Sequence, residues 1–376
     1  MNIAQMLRNA PGFMKRSALV LAALALVQPA AQAATQYTSG TNMWDNGTTA
    51  AWNASTGGPY GSVWTNGNDA IFEGDVGTVS IAAAGATAHN LTFTTSGYLI
   101  QSNSLTLNGT APTISLGTGI SGTISSIIAG SAGLIKSGAG TLTLSGVNTY
   151  SGGTTVSAGT LSIGKASTRS GTTITGGATG TGNVTLADGV TENVNGDVTW
   201  YSPQVTLQGN ITLAGNFRQT VGFATLDLNN GTRTIYVNPT GGNVKQTIPG
   251  NAALEGTGRS RWEMGSDVGV LTVQNGTLVL ASNLTGNDYA GIMFRDASAS
   301  FTGNLGVTVG PNVFLQTNHG NGLGSTTANT AKLTVNGIWG LLGSSGTATG
   351  GGAQTIYSLA GSGRVYASLT SANVNS

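Results

Sequence analysis

The 376-residue chain is rich in glycine and poor in charge, with 60 glycines, 14 basic residues, 13 acidic residues and no cysteine. Binding to nucleic acid needs clustered lysine and arginine, so this charge content excludes a nucleic-acid-binding protein. The lack of cysteine excludes a disulfide-stapled domain and a thiolate metal site, and the abundance of poor helix formers argues against a mainly helical fold.

Residues 1–33 have the features of a secretory signal peptide. Three basic residues precede an apolar run at residues 17–27, and Ala31-Gln32-Ala33 fits the small-residue pattern of a cleavage site. A run of about 11 residues is too short for a transmembrane helix, which needs roughly 18 or more. We therefore expect export, and Met1 and Met14 both fit as the start of the signal.

Residues 34–76 are predicted to form the N-terminal cap of the following domain. Trp44, Trp52 and Trp64 crowd this segment ahead of the first clear strand. A stacked β-fold needs its apolar end covered, because an exposed sheet edge pairs with other chains. An aromatic platform for carbohydrate is the alternative reading of the three tryptophans.

Residues 77–376 carry the pattern of short β-strands. Apolar residues alternate with threonine or serine in runs of three to five residues, bounded by glycine, asparagine or serine, as at Leu142-Thr143-Leu144. Side chains alternate between the two faces of a strand, so leucine is expected to point inward and threonine outward. The sequence predicts an all-β domain without crossover helices.

A spacing of about 20 residues runs through this domain and indicates a right-handed parallel β-helix of around 15 turns. Successive members of one apolar series lie about 19 to 23 residues apart. A β-sandwich or barrel is the alternative, although its strands would be longer. The series is Leu142, Leu161, Val184, Val205, Leu226, Ile248, Leu271, Ile292, Val313, Leu333 and Ile356.

Residues 138–161, GAGTLTLSGVNTYSGGTTVSAGTL, closely resemble the autotransporter-associated β-strand repeat of bacterial type V secretion passengers. Flanking sequence extends the likeness, which places the repeat at residues 134–164. The segments 64–72, 120–124, 129–134 and 358–363 also fit the family. Between residues 165 and 330 the likeness is one of composition alone.

The resemblance implies an exported, non-enzymatic β-helical stalk on a Gram-negative cell surface, used for adhesion or cell–cell aggregation. Its partners would be surface glycans or proteins of the host or of other bacteria, and no cofactor is implied. Autotransporters also carry an outer-membrane β-barrel translocator, but the sequence to Ser376 has no segment with the roughly 10-residue alternating strands of such a barrel. We therefore expect this polypeptide not to anchor itself in a membrane.

The sequence offers little catalytic chemistry, and we assign no catalytic, cofactor or metal site. His89 and His319 are its two histidines, and each is predicted to be a solvated turn residue, His89 without a nearby acid. A serine triad needs a histidine oriented by a carboxylate. Signatures of serine hydrolases, EF-hands and zinc proteases are absent from the sequence.

Three charged groups keep alternatives open. The largest group could supply the carboxylates of a secreted β-helical enzyme that degrades polysaccharides, in which case Glu263→Gln would abolish cleavage. The favoured reading of this group is a charged corner loop. Asp188, Glu192 and Asp197 are predicted to point outward, where they could bind calcium weakly. Arg295 and Asp296 are expected to form an ion pair in a loop. The largest group consists of Glu255, Arg259, Arg261, Trp262, Glu263 and Asp267.

Overall fold

The structure is a computed structural model that describes eleven parts of the chain. The predicted signal peptide lies outside them, apart from its last residue. The described parts are residues 33–194, 198–215, 219–239, 245–247, 262–264, 272–285, 288–294, 300–301, 306–317, 332–341 and 358–366.

The chain divides into a unit at Met1–Ala34 and a unit at Thr35–Ser376. Within the described parts the second unit consists of β-strands and contains no helix. The strands in its first half are β1 Thr35–Ser39, β2 Asn42–Trp44, β3 Asp69–Glu73, β4 Thr78–Ile81, β5 Ala86–Ala88, β6 Leu91–Phe93, β7 Tyr98–Ser102, β8 Ser104–Leu107, β9 Thr113–Leu116, β10 Ser121–Ile124, β11 Ile127–Ala129, β12 Leu134–Ser137, β13 Thr141–Leu144, β14 Thr154–Val156, β15 Thr160–Ile163, β16 Thr168–Ser170 and β17 Thr173–Gly176.

The later strands continue the same fold. They are β18 Val184–Leu186, β19 Thr191–Val194, β20 Val198–Leu207, β21 Ile211–Gly215, β22 Gln219–Pro239, β23 Lys245–Thr247, β24 Trp262–Met264, β25 Thr272–Ala281, β26 Asp288–Phe294, β27 Ser300–Phe301, β28 Gly306–Val309, β29 Val313–Thr317, β30 Lys332–Val335, β31 Ile338–Leu341, β32 Ser358–Ala360 and β33 Arg364–Tyr366.

The strands stack in parallel on three faces, so the predicted parallel β-helix is confirmed. Face 1 begins with β1, β3 and β6, face 2 with β2, β4 and β7, and face 3 with β5, β8 and β11. From β3 to β11 the chain passes through faces 1, 2 and 3 in that order three times. Two strand pairings in the described parts are antiparallel, β16 with β17 and β23 with β26.

The inward columns of each face form one apolar core. On face 2, Leu142 stacks on Leu161, and both are almost fully buried while Thr141 and Thr143 point outward. This is the predicted alternation. Longer columns show the same rule on face 1, where the inward positions in register are Ala70, Leu91, Ile114, Lys136, Val156, Leu186 and Leu207.

The turns are less uniform than the apolar series predicts, so the series does not follow one face. Leu161 pairs with Glu192, 31 residues on, because the β16–β17 hairpin is inserted into that turn. Val184 lies on face 1 instead, between Thr154 and Val205. Thirteen strands stack on face 2 within the described parts, against the roughly 15 turns predicted.

The prediction that all strands have three to five residues is wrong for the later turns. Strands β20 and β25 have 10 residues each, and β22 has 21. Strand β22 pairs with β20 and β21 on one side and with β24 and β25 on the other, and its pairing with β25 shifts register between Asp227 and Gly231. A bulge bends a strand without ending it, so the chain turns this corner within one strand.

Lys136 is an inward charged residue among these apolar columns and is fully buried. Its ammonium group donates hydrogen bonds to the carbonyls of Ser137 (3.1 Å), Gly138 and Ala158 (2.9 Å) at the corner between faces 1 and 2. Burial lowers the pKa of Lys136 to about 8. The side chain therefore satisfies carbonyl groups of two successive turns at a tight corner.

Gly140 permits a close backbone approach at this corner. A Cβ atom there would lie 2.3 Å from the carbonyl oxygen of Ile120 and 2.4 Å from that of Gly117. Both obstacles are backbone atoms of the preceding turn, so relief of the clash would require the two turns to separate.

We expect Gly140→Ala to lower the free energy of unfolding by about 3 kcal/mol, measured by urea unfolding. Gly61→Ala is the matched control because nothing lies within 4 Å of its added Cβ. An equal effect of both substitutions would contradict this reading.

Three tryptophans lie together at the first turn. Trp44, Trp52 and Trp64 are at most 1% exposed, with ring centroids 4.5 to 5.1 Å apart, and they pack next to Phe72. Burial removes the alternative that they form a carbohydrate platform. Trp52 forms an isolated antiparallel β-bridge with Ser62, and the neighbouring Asn53 forms another with Tyr37.

No helix in the described ranges is both long and apolar enough to cross a membrane.

Candidate functional site

A cleft of about 560 Å³ opens at the corner where the chain passes from face 3 to face 1. We call it the corner cleft. Two successive turns form it, one after β8 and one after β11, with a contribution from the turn above. Its lining residues are Thr106, Leu107, Asn108, Gly109, Thr110, Gly130, Ser131, Ala132, Gly133 and Gly152.

The lining of the corner cleft is uncharged and mostly polar. Its side chains include the hydroxyls of Thr106, Thr110 and Ser131 and the amide of Asn108. No aspartate, glutamate, lysine or arginine occurs between residues 76 and 135. Like charges stacked one above another would repel, which explains their absence from these turns. The cleft can therefore offer hydrogen bonds and shape, but no ionic anchor.

Asn108 differs from other asparagines near the corners of this fold. The side-chain oxygens of Asn66, Asn90 and Asn148 accept hydrogen bonds from backbone N–H groups of a neighbouring turn, at 2.8 to 2.9 Å. The amide of Asn108 and the hydroxyls of Thr110 and Ser131 hydrogen bond no other side chain or backbone group among the described residues. Their hydrogen-bonding capacity is thus available to solvent or a ligand.

His89 lies beside the corner cleft and is paired with Asp69, so the prediction of no nearby acid is wrong. Its Nδ1 is 2.9 Å from Asp69 Oδ1, which also accepts from the backbone and side-chain nitrogens of Asn90 at 3.0 Å. A carboxylate only accepts, so the hydrogen of the neutral ring lies on Nδ1 and Nε2 is left as an acceptor. The two residues lie 20 positions apart, one turn of the β-helix.

Gly109 lies between the His89 ring and the corner cleft. It has a φ of +87°, which favours glycine, and a Cβ there would lie 2.6 Å from Cδ2 and 2.9 Å from Nε2 of His89. The Nε2 edge of the ring therefore lies next to Gly109, which lines the corner cleft. A serine triad would also need a hydroxyl within hydrogen-bond reach of Nε2, and no hydroxyl of a described residue makes that bond. The arrangement can accept a hydrogen bond from a ligand.

The other predicted polar groups are not brought together in the described parts. Trp262 and Glu263 lie in β24, which pairs in parallel with β22 and β26. His319, Arg295 and Asp296 lie outside the described residues, as do Asp197 and the rest of the largest charged group. Within the described parts, no three histidine or acidic side chains converge as a metal site would require.

Glu192 corrects the prediction that the smaller acidic group points outward. Its side chain is inward, 4% exposed, and stacks between Leu161 and Leu213. Asp188 is exposed, and its Oδ1 accepts a hydrogen bond from the backbone N–H of Asn210 at 2.7 Å. These two carboxylates therefore face opposite ways and cannot share a calcium ion.

Burial raises the pKa of Glu192 to about 7, while the indole N–H of Trp200 lowers it in part. Among the described residues, the Oε1 atom of Glu192 and the Nε1 atom of Trp200 have no hydrogen-bond partner. The sequence period of two would have placed Glu192 inward if the register of Thr191 had been known. The inserted hairpin concealed that register.

Comparisons with known proteins find sequences similar to parts of this chain. The family model of the passenger-associated transport repeat matches residues 134–163. The adhesin BmaC autotransporter of Brucella suis biovar 1 is 41% identical over 139 residues, which are 32% of this chain and 4% of the adhesin. The chain thus spans a small fraction of that relative's length. No solved structure matches it. The repeat and the adhesin match, together with the parallel β-helix, support an autotransporter passenger with a passenger-associated transport repeat.

Proposed function

We propose that this passenger is exported to the surface of a Gram-negative cell and acts there as a non-enzymatic adhesin. The observation that carries the proposal is the match to an autotransporter that is itself named an adhesin. The signal peptide predicted at residues 1–33 supplies the export step. Adhesion or cell–cell aggregation would follow from contacts to surface glycans or proteins.

The fold supports such a role because it repeats the same outward side chains along its length. Outward threonines repeat in register along face 2, so one polar contact is offered again at each turn. Weak contacts repeated on one displayed object give strong attachment when they act together. One ladder of outward side chains consists of Ser121, Thr141, Thr160, Thr191 and Thr212.

Adhesion is tested with the full exported chain coated on beads. The beads are passed under flow over cultured cells, extracellular matrix and immobilised glycans, and beads coated with an unrelated β-rich protein serve as the control. We expect retention on at least one surface to exceed the control by about tenfold, because many copies bind together. Retention at the control level on every surface would overturn the proposed function.

A further inference from the structure

The corner cleft has the size and chemistry of a ligand site. Its volume of about 560 Å³ lies within the roughly 300–1,000 Å³ of small-molecule sites. Thr110 and Ser131 are exposed on opposite turns of the cleft, with Asn108 beside Thr110. A ligand between the two turns would thus meet hydroxyl and amide groups from both sides.

The absence of charge selects the class of ligand. A sulfated, phosphorylated or sialylated ligand would need arginine or lysine to replace its water, and the lining has neither. Leu107, the largest apolar lining residue, is 4% exposed, so an apolar peptide would find no anchor. Neutral sugars carry hydroxyls that both donate and accept, and these match hydroxyl and amide side chains.

His89 adds one oriented acceptor at the edge of this cleft. Asp69 holds the Nδ1 hydrogen, and the imidazole edge that carries Nε2 lies against Gly109. The His89 side chain is 34% exposed, so a ligand hydroxyl can reach the ring. The cleft therefore combines free donors and acceptors with a ring whose orientation is fixed by a neighbouring turn.

We propose that the corner cleft binds a neutral carbohydrate, held by Asn108, Thr110, Ser131 and Nε2 of His89. This inference rests on the proposed adhesin function and gives it a specific site. One passenger would hold one short stretch of sugar weakly. A cell surface that displays many passengers would bind the same glycan far more strongly.

The test uses the full exported chain on an array of neutral oligosaccharides, with sialylated and sulfated glycans on the same array. Ser131→Trp places a bulky ring in the cleft from an exposed position. Thr173→Trp, at an exposed position on the β16–β17 hairpin, is the matched control. Circular dichroism and thermal melting establish that both variants fold, and binding to the best array ligand is then titrated by calorimetry.

We expect the parent and Thr173→Trp to bind a neutral oligosaccharide, and Ser131→Trp to weaken that binding at least about tenfold. Equal binding by Ser131→Trp and the parent would overturn the cleft as the site, and so would binding of charged glycans alone. Retention of coated beads on cells or matrix without binding to any array glycan would overturn the carbohydrate inference while leaving the adhesin function intact. If Ser131→Trp does not fold, Thr110→Trp replaces it with the same expected outcomes.

Discussion

Replacing Glu192 with glutamine will raise the free energy of unfolding by about 3 kcal/mol at pH 8 and change it little at pH 4. The folded-state pKa of about 7 lies above the ordinary value of 4.5. Below pH 4.5 the carboxyl is protonated in both states and favours neither. As pH rises from 4.5 to 7 the unfolded chain ionises first, so stability falls, and above pH 7 the full cost persists.

The position of Glu192 explains why the effect should be large. The carboxyl group occupies a column in which its neighbours in register are Leu161 and Leu213. Desolvation disfavours the ionised form, and the Trp200 indole compensates only in part. Glutamine keeps the shape of the side chain and cannot ionise, so it removes the dependence on pH without leaving a cavity.

Urea unfolding between pH 4 and pH 8, followed by circular dichroism, measures this effect. Asp188→Asn is the matched control because Asp188 is an exposed carboxylate of the same turn, and asparagine keeps the oxygen that accepts from Asn210. The control should change stability by about 0.5 kcal/mol or less. A gain for Glu192→Gln that is equal at pH 4 and pH 8 would show that the carboxyl does not titrate in the core.

Truncating Trp52 to alanine will destabilise the first turns by about 4 kcal/mol. Trp52 is fully buried and contacts Trp44 and Trp64, with centroids 5.1 and 4.5 Å apart. The sequence predicts a cap at residues 34–76, and we propose that the segment around Trp52 covers the apolar end of the stack. Its loss would expose aromatic core and the edge of β1, where other chains can pair.

Thermal melting and size-exclusion chromatography read out the two consequences. Trp52→Ala should lower the melting temperature and shift the protein toward soluble oligomers, whereas Trp52→Phe should recover much of the stability because it retains an aromatic ring. A Trp52→Ala variant that stays monomeric with unchanged melting would refute the covering role of this segment.

In turns without an insertion, local sequence pattern was sufficient to predict which side chains of a strand point into the core. Leu142 and Leu144 point inward and the threonines between them outward, as alternation requires. The same rule applies to Lys136, which follows the inward Leu134 by two residues. Composition and repeat length together were enough for a stacked parallel fold.

Pairing between turns could not be read from local pattern, because it depends on how many residues each turn loops out. The hairpin at residues 168–176 lengthens one turn and moves the partner of Leu161 to Glu192. Asp69 and His89 meet for the opposite reason, since their separation of 20 residues equals an uninterrupted turn. The corner cleft arises from stacked turns, so it has no local signature at all.

Register across the inserted hairpin is therefore the most direct test of the fold. The chain has no cysteine of its own, and Thr160 and Thr191 are partners on neighbouring strands. Adjacent strands lie about 4.8 Å apart, within the Cα separation that a disulfide spans. Thr160→Cys with Thr191→Cys should form a disulfide on mild oxidation, measured by mass spectrometry of peptides. Thr160→Cys with Thr181→Cys, the pairing expected of uniform turns, should remain reduced. A disulfide in the second pair and none in the first would contradict the β-helix as described.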